Sequence, residues 1–216
     1  MSKTVDSFFE MLSFLQADID RYVVLKNRPW WTELLANQGL WVMTRYRFSR
    51  WVKLYFHIPI LRQLIRGFCF VAQKLVETMT HCEVPDGAQL GPGVFMPHAY
   101  CIVIHQDAQI GKLSTISQDV TIGSAGRKEK KGVPYVGDRV YIAPGARAFG
   151  DITIESDVAI GANAVVTKSL PRNAVAVGIP AKVISYKGTN DLITYRHQPR
   201  DMSYREKQLQ EAPPIG

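Results

Sequence analysis

A chain of 216 residues, 46% of them hydrophobic and 21% charged, can form one large domain or two small ones, and this composition excludes a disordered or membrane-embedded protein. The formal net charge is +7, and residues 1–80 hold 11 Lys or Arg against 6 Asp or Glu. Such basicity indicates an anionic membrane surface or ligand, or simply a basic solvated face.

The three cysteines, Cys69, Cys82 and Cys101, follow no metal-ligand spacing. Reduced thiols and a cytoplasmic location are therefore expected. The first residues contain acidic side chains where an export signal needs an apolar core, so no such signal is predicted. No uncharged apolar run of about 18 residues occurs, so a membrane-spanning helix is not expected either.

The first third of the chain follows a helical pattern. Ser7 and Glu10 form a predicted capping box for a first helix, and Asn27–Pro29 ends that helix. A second helix is predicted over residues 32–55. Pro59 suits the first turn of a third helix, whose apolar residues recur at helical spacing.

Aromatic and basic residues alternate between Trp41 and Phe70, and this pattern also fits a helix that lies at a membrane surface. Packing of the helices on each other and on the rest of the chain is the favoured interpretation, because apolar stripes at helical spacing usually form a core. Peripheral membrane contact stays open as the alternative. The basic residues of the segment are Arg45, Arg47, Arg50, Lys53, Arg62 and Arg66.

Aliphatic residues then recur at every sixth position, with two interruptions. This period fits neither an α-helix nor an alternating strand, and it is the signature of a parallel β-helix in which three six-residue units complete a triangular coil. We predict an α+β protein: a helical region over residues 1–82, a left-handed parallel β-helix over 83–185 and a polar tail over 186–216. The inward-facing residues are Val84, Leu90, Met96, Ile104, Ile110, Ile116, Ile122, Val136, Ile142, Ala148, Ile154, Ile160 and Val166.

The two interruptions mark the candidate functional region. The step from Met96 to Ile104 is eight residues, which we interpret as an insertion at Tyr100–Cys101 just after His98. The second interruption is a loop over Gly123–Pro134. Loops that leave a rigid scaffold often carry binding and catalytic residues, so chemistry is expected here.

Four motifs occur along the repeat, at Phe95–Ile104, Gln118–Gly123, Val136–Asp138 and Gly178–Val183. They resemble the hexapeptide acyltransferases of the serine acetyltransferase family, and within it most closely the colanic acid-type branch associated with exopolysaccharide synthesis. The resemblance spans about residues 80–185. It implies an O-acetyltransferase that uses acetyl-CoA and no metal, assembled as a homotrimer or a multiple of trimers with donor grooves between subunits.

The resemblance also implies the catalytic residues. His98 stands at the position of the catalytic histidine, and an imidazole suits a general base near neutral pH. Glu83, fifteen residues earlier, stands where the family usually has the Asp that orients the imidazole. His105 is the competing base, and it is otherwise expected to line the acceptor site.

For the acyl donor, the resemblance implies an extended groove lined by small residues that offer backbone amides, with lysines near the phosphates. Pro144 stands where the family often has Ala, which removes one amide donor. The predicted donor-binding residues are Ser124, Gly145, Ala162, Lys168, Pro180 and Lys182.

The acceptor side departs from the family. Serine-specific members have an Asp before the catalytic His and an Arg-His pair at the end of the loop, whereas this chain has Pro97, Gly132 and Val133 there. Without an Arg to bind a carboxylate, and with the Tyr100 ring beside His98, a sugar hydroxyl is the predicted acceptor. Offset loop cations are the substitutes that would allow serine instead, namely Arg127, Lys128, Lys130 and Lys131.

Three alternatives remain open. The first is serine O-acetylation in cysteine biosynthesis. The second is a β-helix metalloenzyme that resembles the γ-type carbonic anhydrases, although that site needs three histidines and the repeat holds only His98 and His105. The third is a scaffold without catalysis. No feature indicates nucleic-acid binding.

Overall fold

The computed structural model describes residues 8–26, 28–126 and 132–195. In these ranges four helices precede thirteen short strands. The helices are α1 (Phe8–Lys26), α2 (Trp30–Ala36), α3 (Gln38–Tyr55) and α4 (Pro59–Thr80). The strands are β1 (Gln89–Leu90), β2 (Val103–Ile104), β3 (Gln109–Ile110), β4 (Thr115–Ile116), β5 (Thr121–Gly123), β6 (Tyr135–Val136), β7 (Tyr141–Ile142), β8 (Arg147–Phe149), β9 (Thr153–Ile154), β10 (Ala159–Ile160), β11 (Val165–Val166), β12 (Val175–Val177) and β13 (Lys182–Ser185).

The predicted second helix is wrong in one respect, because Asn37 divides it into α2 and α3. Asn37 has an extended backbone, with φ −109° and ψ 112°. Its side-chain amide donates to the carbonyl oxygen of Glu33 at 3.0 Å, which satisfies an acceptor at the end of α2. Ser7 of the predicted capping box lies outside the described residues.

The strands form the three sides of a parallel β-helix. Sheet 1 is β1-β3-β6-β9, sheet 2 is β4-β7-β10-β12 with β13 at its edge, and sheet 3 is β2-β5-β8-β11. Partners in regular coils are eighteen residues apart, as in the pairs Ile104–Ile122 and Val136–Ile154. Every predicted inward-facing residue is at most 3% exposed, and the predicted fold class is confirmed.

Helices α1 and α3 cover the first coil, whose backbone would otherwise have an unpaired edge. Arg47 forms a buried ion pair with Asp18 at 2.9 Å and donates to the carbonyl oxygens of Leu90 and Gly91, both at 2.6 Å. The Tyr46 hydroxyl donates to Ala88 O at 2.7 Å. These side chains replace the hydrogen bonds that another coil would supply.

Part of the basic aromatic segment is therefore internal. Arg45 and Arg50 are also buried and donate to carbonyl oxygens of the first coil, Arg45 to Val84 at 2.6 Å and Arg50 to Ala88 at 2.9 Å. Basic residues that sequence reasoning assigned to a charged surface thus hold the helices to the β-helix. Lys53 and Arg66 remain exposed.

Helix α4 packs on α3 and presents the rest of its apolar surface outward. Among the helices of the described residues, none is both long and apolar enough to cross a bilayer. Peripheral membrane contact through this surface stays a prediction. Its exposed apolar residues are Ile60, Leu61, Leu64, Phe68, Val71, Leu75 and Met79.

The first residues of the predicted tail pack against the β-helix. The amide of Gly188 donates to Asn173 O at 2.9 Å, and the Thr189 hydroxyl donates to Arg139 O at 3.1 Å. Ile193 is fully buried. The remainder of the tail, including any short helix in it, lies outside the described residues.

Candidate functional site

The corner between sheets 2 and 3 carries His98, and we call it the His98 corner. It stacks in register: Asp119 N–H donates to Tyr100 O at 2.9 Å, Gly145 N–H to Gln118 O at 3.0 Å and Asn163 N–H to Pro144 O at 2.9 Å. This column of hydrogen bonds comprises the pairs Tyr100–Cys101, Gln118–Asp119, Pro144–Gly145 and Ala162–Asn163.

That register corrects the predicted insertion. Tyr100–Cys101 is the regular corner pair, so the two extra residues are His98 and Ala99 themselves. The Tyr100 amide donates back to His98 O at 2.9 Å and closes a tight turn. Ala99 is buried beneath the turn and His98 is exposed above it. The extra residues therefore project the imidazole from an otherwise regular coil.

The end of α4 holds this turn from outside the β-helix. The amide of Cys101 donates at 3.1 Å to the carbonyl oxygen of Thr80, the last residue of α4. His81, the C-cap residue of α4, lies with its ring against Tyr100, with ring centroids 5.2 Å apart and planes inclined by 57°. Sequence reasoning missed His81 because it precedes the repeat. Its separation of seventeen residues from His98, about one coil, is the signal that could have indicated it.

Glu83 lies in sheet 3, at the end of the sheet that adjoins the His98 corner. Its amide donates to Ile102 O at 2.7 Å, and its carbonyl accepts from Ile104 N–H at 2.9 Å. Glu83 therefore forms a parallel bridge with Val103 of β2, one coil earlier in the β-helix. Its side chain is exposed, on the outward side of sheet 3. Within the described residues no hydrogen bond joins this carboxylate to His98. The predicted His98–Glu83 dyad therefore shares one end of sheet 3 without direct contact here.

Neighbouring Cys82 offers no competing nucleophile. Its side chain is fully buried, and burial raises the pKa of the Cys82 thiol, which keeps it protonated.

His105 lies at the opposite edge of sheet 3, at a corner that also carries the Gly123–Pro134 loop and that we call the loop corner. Its Nδ1 accepts the amide of Asp107 at 3.2 Å, and the Asp107 carboxylate is 3.6 Å away. A neutral His105 that accepts at Nδ1 carries its proton on Nε2. In that tautomer Nε2 is a hydrogen-bond donor and Nδ1 is already an acceptor, so neither nitrogen is well suited to take a proton from a substrate.

The other predicted residues divide between the two corners. Gly145 and Ala162 lie on the His98 corner two and three coils beyond Tyr100, about 10 and 14 Å along the stack. Half-buried Pro97 begins the turn itself. The exposed Pro180 follows Gly178, whose carbonyl accepts from Val165 N–H at 3.0 Å at the far end of sheet 3.

The loop corner holds the remainder. Ser124 is half-buried where the loop leaves β5, and Val133 packs against the core of the β-helix instead of pointing into the site. Exposed Lys168 lies at the same corner, while exposed Lys182 lies in β13 at the edge of sheet 2. Within one chain, the outward side of sheet 3 separates Ser124, Val133 and Lys168 from His98. The loop cations from Arg127 to Lys131 lie outside the described residues.

The described ranges contain no cluster of three or more His, Cys, Asp or Glu side chains arranged to bind a metal ion. Within the described residues of a single chain, the metalloenzyme alternative therefore lacks a set of metal ligands. The arrangement that the structure does provide is an exposed imidazole in a tight turn, a neighbouring phenol and second imidazole, and a column of corner residues leading away from them.

Known proteins similar to this chain are serine acetyltransferases. That of Staphylococcus epidermidis is 34% identical over 163 residues, which cover 71% of this chain and 76% of the relative. That of Staphylococcus aureus is 37% identical over 138 residues, or 61% and 65%. A solved serine acetyltransferase in complex with CoA has a TM-score of 0.68 at 25% identity, covering 82% of this chain and 71% of the other. No family profile matches the chain.

These relatives correct the prediction of a sugar acceptor, and the assignment to the exopolysaccharide branch gains no support from them. They also exclude the scaffold without catalysis. The sugar acceptor was predicted because Pro97, Gly132 and Val133 provide no carboxylate-binding cation and because the loop cations are offset from the family's Arg position. Groups contributed by another element, such as the end of α4, could not enter that argument.

Proposed function

The chain belongs to the serine acetyltransferase family, and from that premise we propose that this acyltransferase moves the acetyl group of acetyl-CoA to the hydroxyl of serine. The observation that carries the proposal is the position of His98. Two extra residues raise its imidazole from a regular coil, beside a ladder of small corner residues that can receive an extended donor. The base that activates the acceptor and the residues that receive the acyl donor therefore lie at one corner.

His98 serves as the general base. Its imidazole takes the proton of the serine hydroxyl while the oxygen attacks the thioester carbonyl carbon. Collapse of the tetrahedral intermediate breaks the C–S bond, and the imidazolium returns the proton to the departing CoA sulfur. O-acetylserine and free CoA are the products, and the imidazole is regenerated.

Glu83 orients the imidazole or stabilises its charged form. The Glu side chain is one methylene longer than the Asp of the family, and Glu83 and His98 are both exposed at the same end of sheet 3. We expect their hydrogen bond to form when substrate closes the site, since catalytic hydrogen bonds often tighten only in the complex.

The donor lies along the His98 corner. Gly145 has φ +73°, a backbone conformation that disfavours a side chain, and a Cβ there would displace the Asn163 side chain; exposed Ala162 follows one coil later. Small residues let an extended pantetheine arm approach the backbone. Lys168 and Lys182 supply positive charge for the phosphates at the far end.

A homotrimer completes the site. His98 and Gly145 belong to one corner of sheet 3, whereas Ser124 and Lys168 belong to the other. Parallel packing of neighbouring subunits brings the His98 corner of one against the loop corner of the next. The resulting groove joins Gly145 and Ala162 of one subunit with Ser124 and Lys168 of the next, and three equivalent grooves form around the axis.

Release of CoA thiol from acetyl-CoA, measured with and without L-serine, tests the proposal. We expect serine to accelerate thiol release and mass spectrometry to identify O-acetylserine. A hexose at the same concentration serves as the control acceptor. Thiol release that does not depend on serine would overturn the proposed function.

A further inference from the structure

The ring contact between His81 and Tyr100 places a second imidazole at the His98 turn. His81 caps α4 in the left-handed region, with φ +55°, and its amide donates to Glu77 O at 2.7 Å. Its ring lies 5.2 Å from that of Tyr100, whose own amide is bonded to His98 O. His81 and His98 are thus both exposed, and both adjoin Tyr100, one through its ring and the other through its amide.

Serine requires a partner for its carboxylate in this space. An unpaired carboxylate in a confined site is costly, and a site gains specificity from hydrogen bonds to such a group. The loop end supplies Gly132 and Val133, which have no donor side chain. Arg147, a cation on the outward side of sheet 3, is already bound to Gly145 O at 2.7 Å and to Asp119 at 3.4 Å.

We propose that His81 determines acceptor specificity by donating an imidazole N–H to the serine carboxylate, with the Tyr100 ring holding His81 in place. The proposal rests on the proposed serine acetylation and assigns one part of its binding site. It concerns binding of the acceptor and no step of proton transfer. The end of α4 thus supplies a donor that Gly132 and Val133 do not.

The backbone at His81 determines which variants are informative. A left-handed φ suits Gly and Asn, so His81→Gly removes the ring without backbone strain and His81→Asn retains a side-chain N–H donor. His57 provides a matched control, because it is an exposed histidine just before α4, at the opposite end of that helix.

Steady-state kinetics of the full-length protein test the proposal. We expect His81→Gly to raise the KM for serine about tenfold, the loss of one hydrogen bond to a charged group, with kcat and the KM for acetyl-CoA within about twofold. His81→Asn should recover most of the serine KM, and His57→Asn should match the wild type.

L-serinamide, which keeps the hydroxyl and ammonium but lacks the carboxylate, separates recognition from structure. The preference in kcat/KM for serine over serinamide should fall about tenfold in His81→Gly. An unchanged preference, or equal losses in kcat and in both KM values, would overturn the role of His81 while leaving serine acetylation intact. A wild-type protein that does not acetylate serine would overturn both.

Discussion

The core of the β-helix and its His98 corner differ in how strictly they keep the six-residue period. In the core, aliphatic residues from Val84 to Val166 pack in register and are almost fully buried. At the His98 corner two extra residues break the period, and the end of α4 contacts Tyr100 and Cys101, which follow them. A uniform repeat supplies a rigid scaffold, and the departure from it supplies an exposed imidazole whose position that scaffold fixes.

Deletion of His98 and Ala99 should have the largest effect, because it makes the broken coil regular. We expect turnover to fall at least about a thousandfold, since the base is lost and the Tyr100 ring shifts relative to His81. The loss of buried Ala99 should lower the melting temperature by only about 5 °C. Thiol release and circular dichroism melting measure the two effects. A deletion variant that stays active would contradict the claim that the two extra residues supply the catalytic group.

Ile122→Ala tests the core of the β-helix. Ile122 is fully buried between Ile104 and Ala148, so the cavity should lower the free energy of unfolding by about 3 kcal/mol. Denaturant titration measures this change. In the protein that remains folded, the KM for serine should match the wild type, and a selective rise in that KM would show that the core also shapes the site.

Glu83→Gln should have the smallest effect of the three. The amide keeps the shape of the carboxylate but loses the charge that stabilises the His98 imidazolium, so kcat should fall about tenfold. Stability should not change, because the side chain is exposed. A loss as large as that caused by removing His98 would instead give Glu83 a direct part in proton transfer.

The sequence predicted the core well because a period of six has one structural solution, and each coil repeats the environment of the last. It predicted His98 through its motif but misplaced the insertion, since only hydrogen bonds between coils show that Tyr100 pairs with Gln118–Asp119. His81 was missed because its position depends on where α4 ends. No local pattern records that tertiary contact.

The acceptor was predicted wrongly for a related reason. The missing Arg was a correct observation about one loop, but specificity depends on every element that reaches the site. The predicted helix boundary at Asn37 is wrong for the same kind of reason. The apolar pattern continues through this position, but a hydrogen bond from the Asn37 side chain to Glu33 O ends α2 there.

The most direct test of the central claim is the rate of thiol release by His98→Ala with saturating acetyl-CoA and serine. The account predicts a rate at least about a hundredfold below wild type, with acetyl-CoA affinity by calorimetry and unfolding temperature both preserved, because the exposed imidazole serves only as the base. A rate within threefold of wild type would contradict the assignment of the chemistry to the His98 turn.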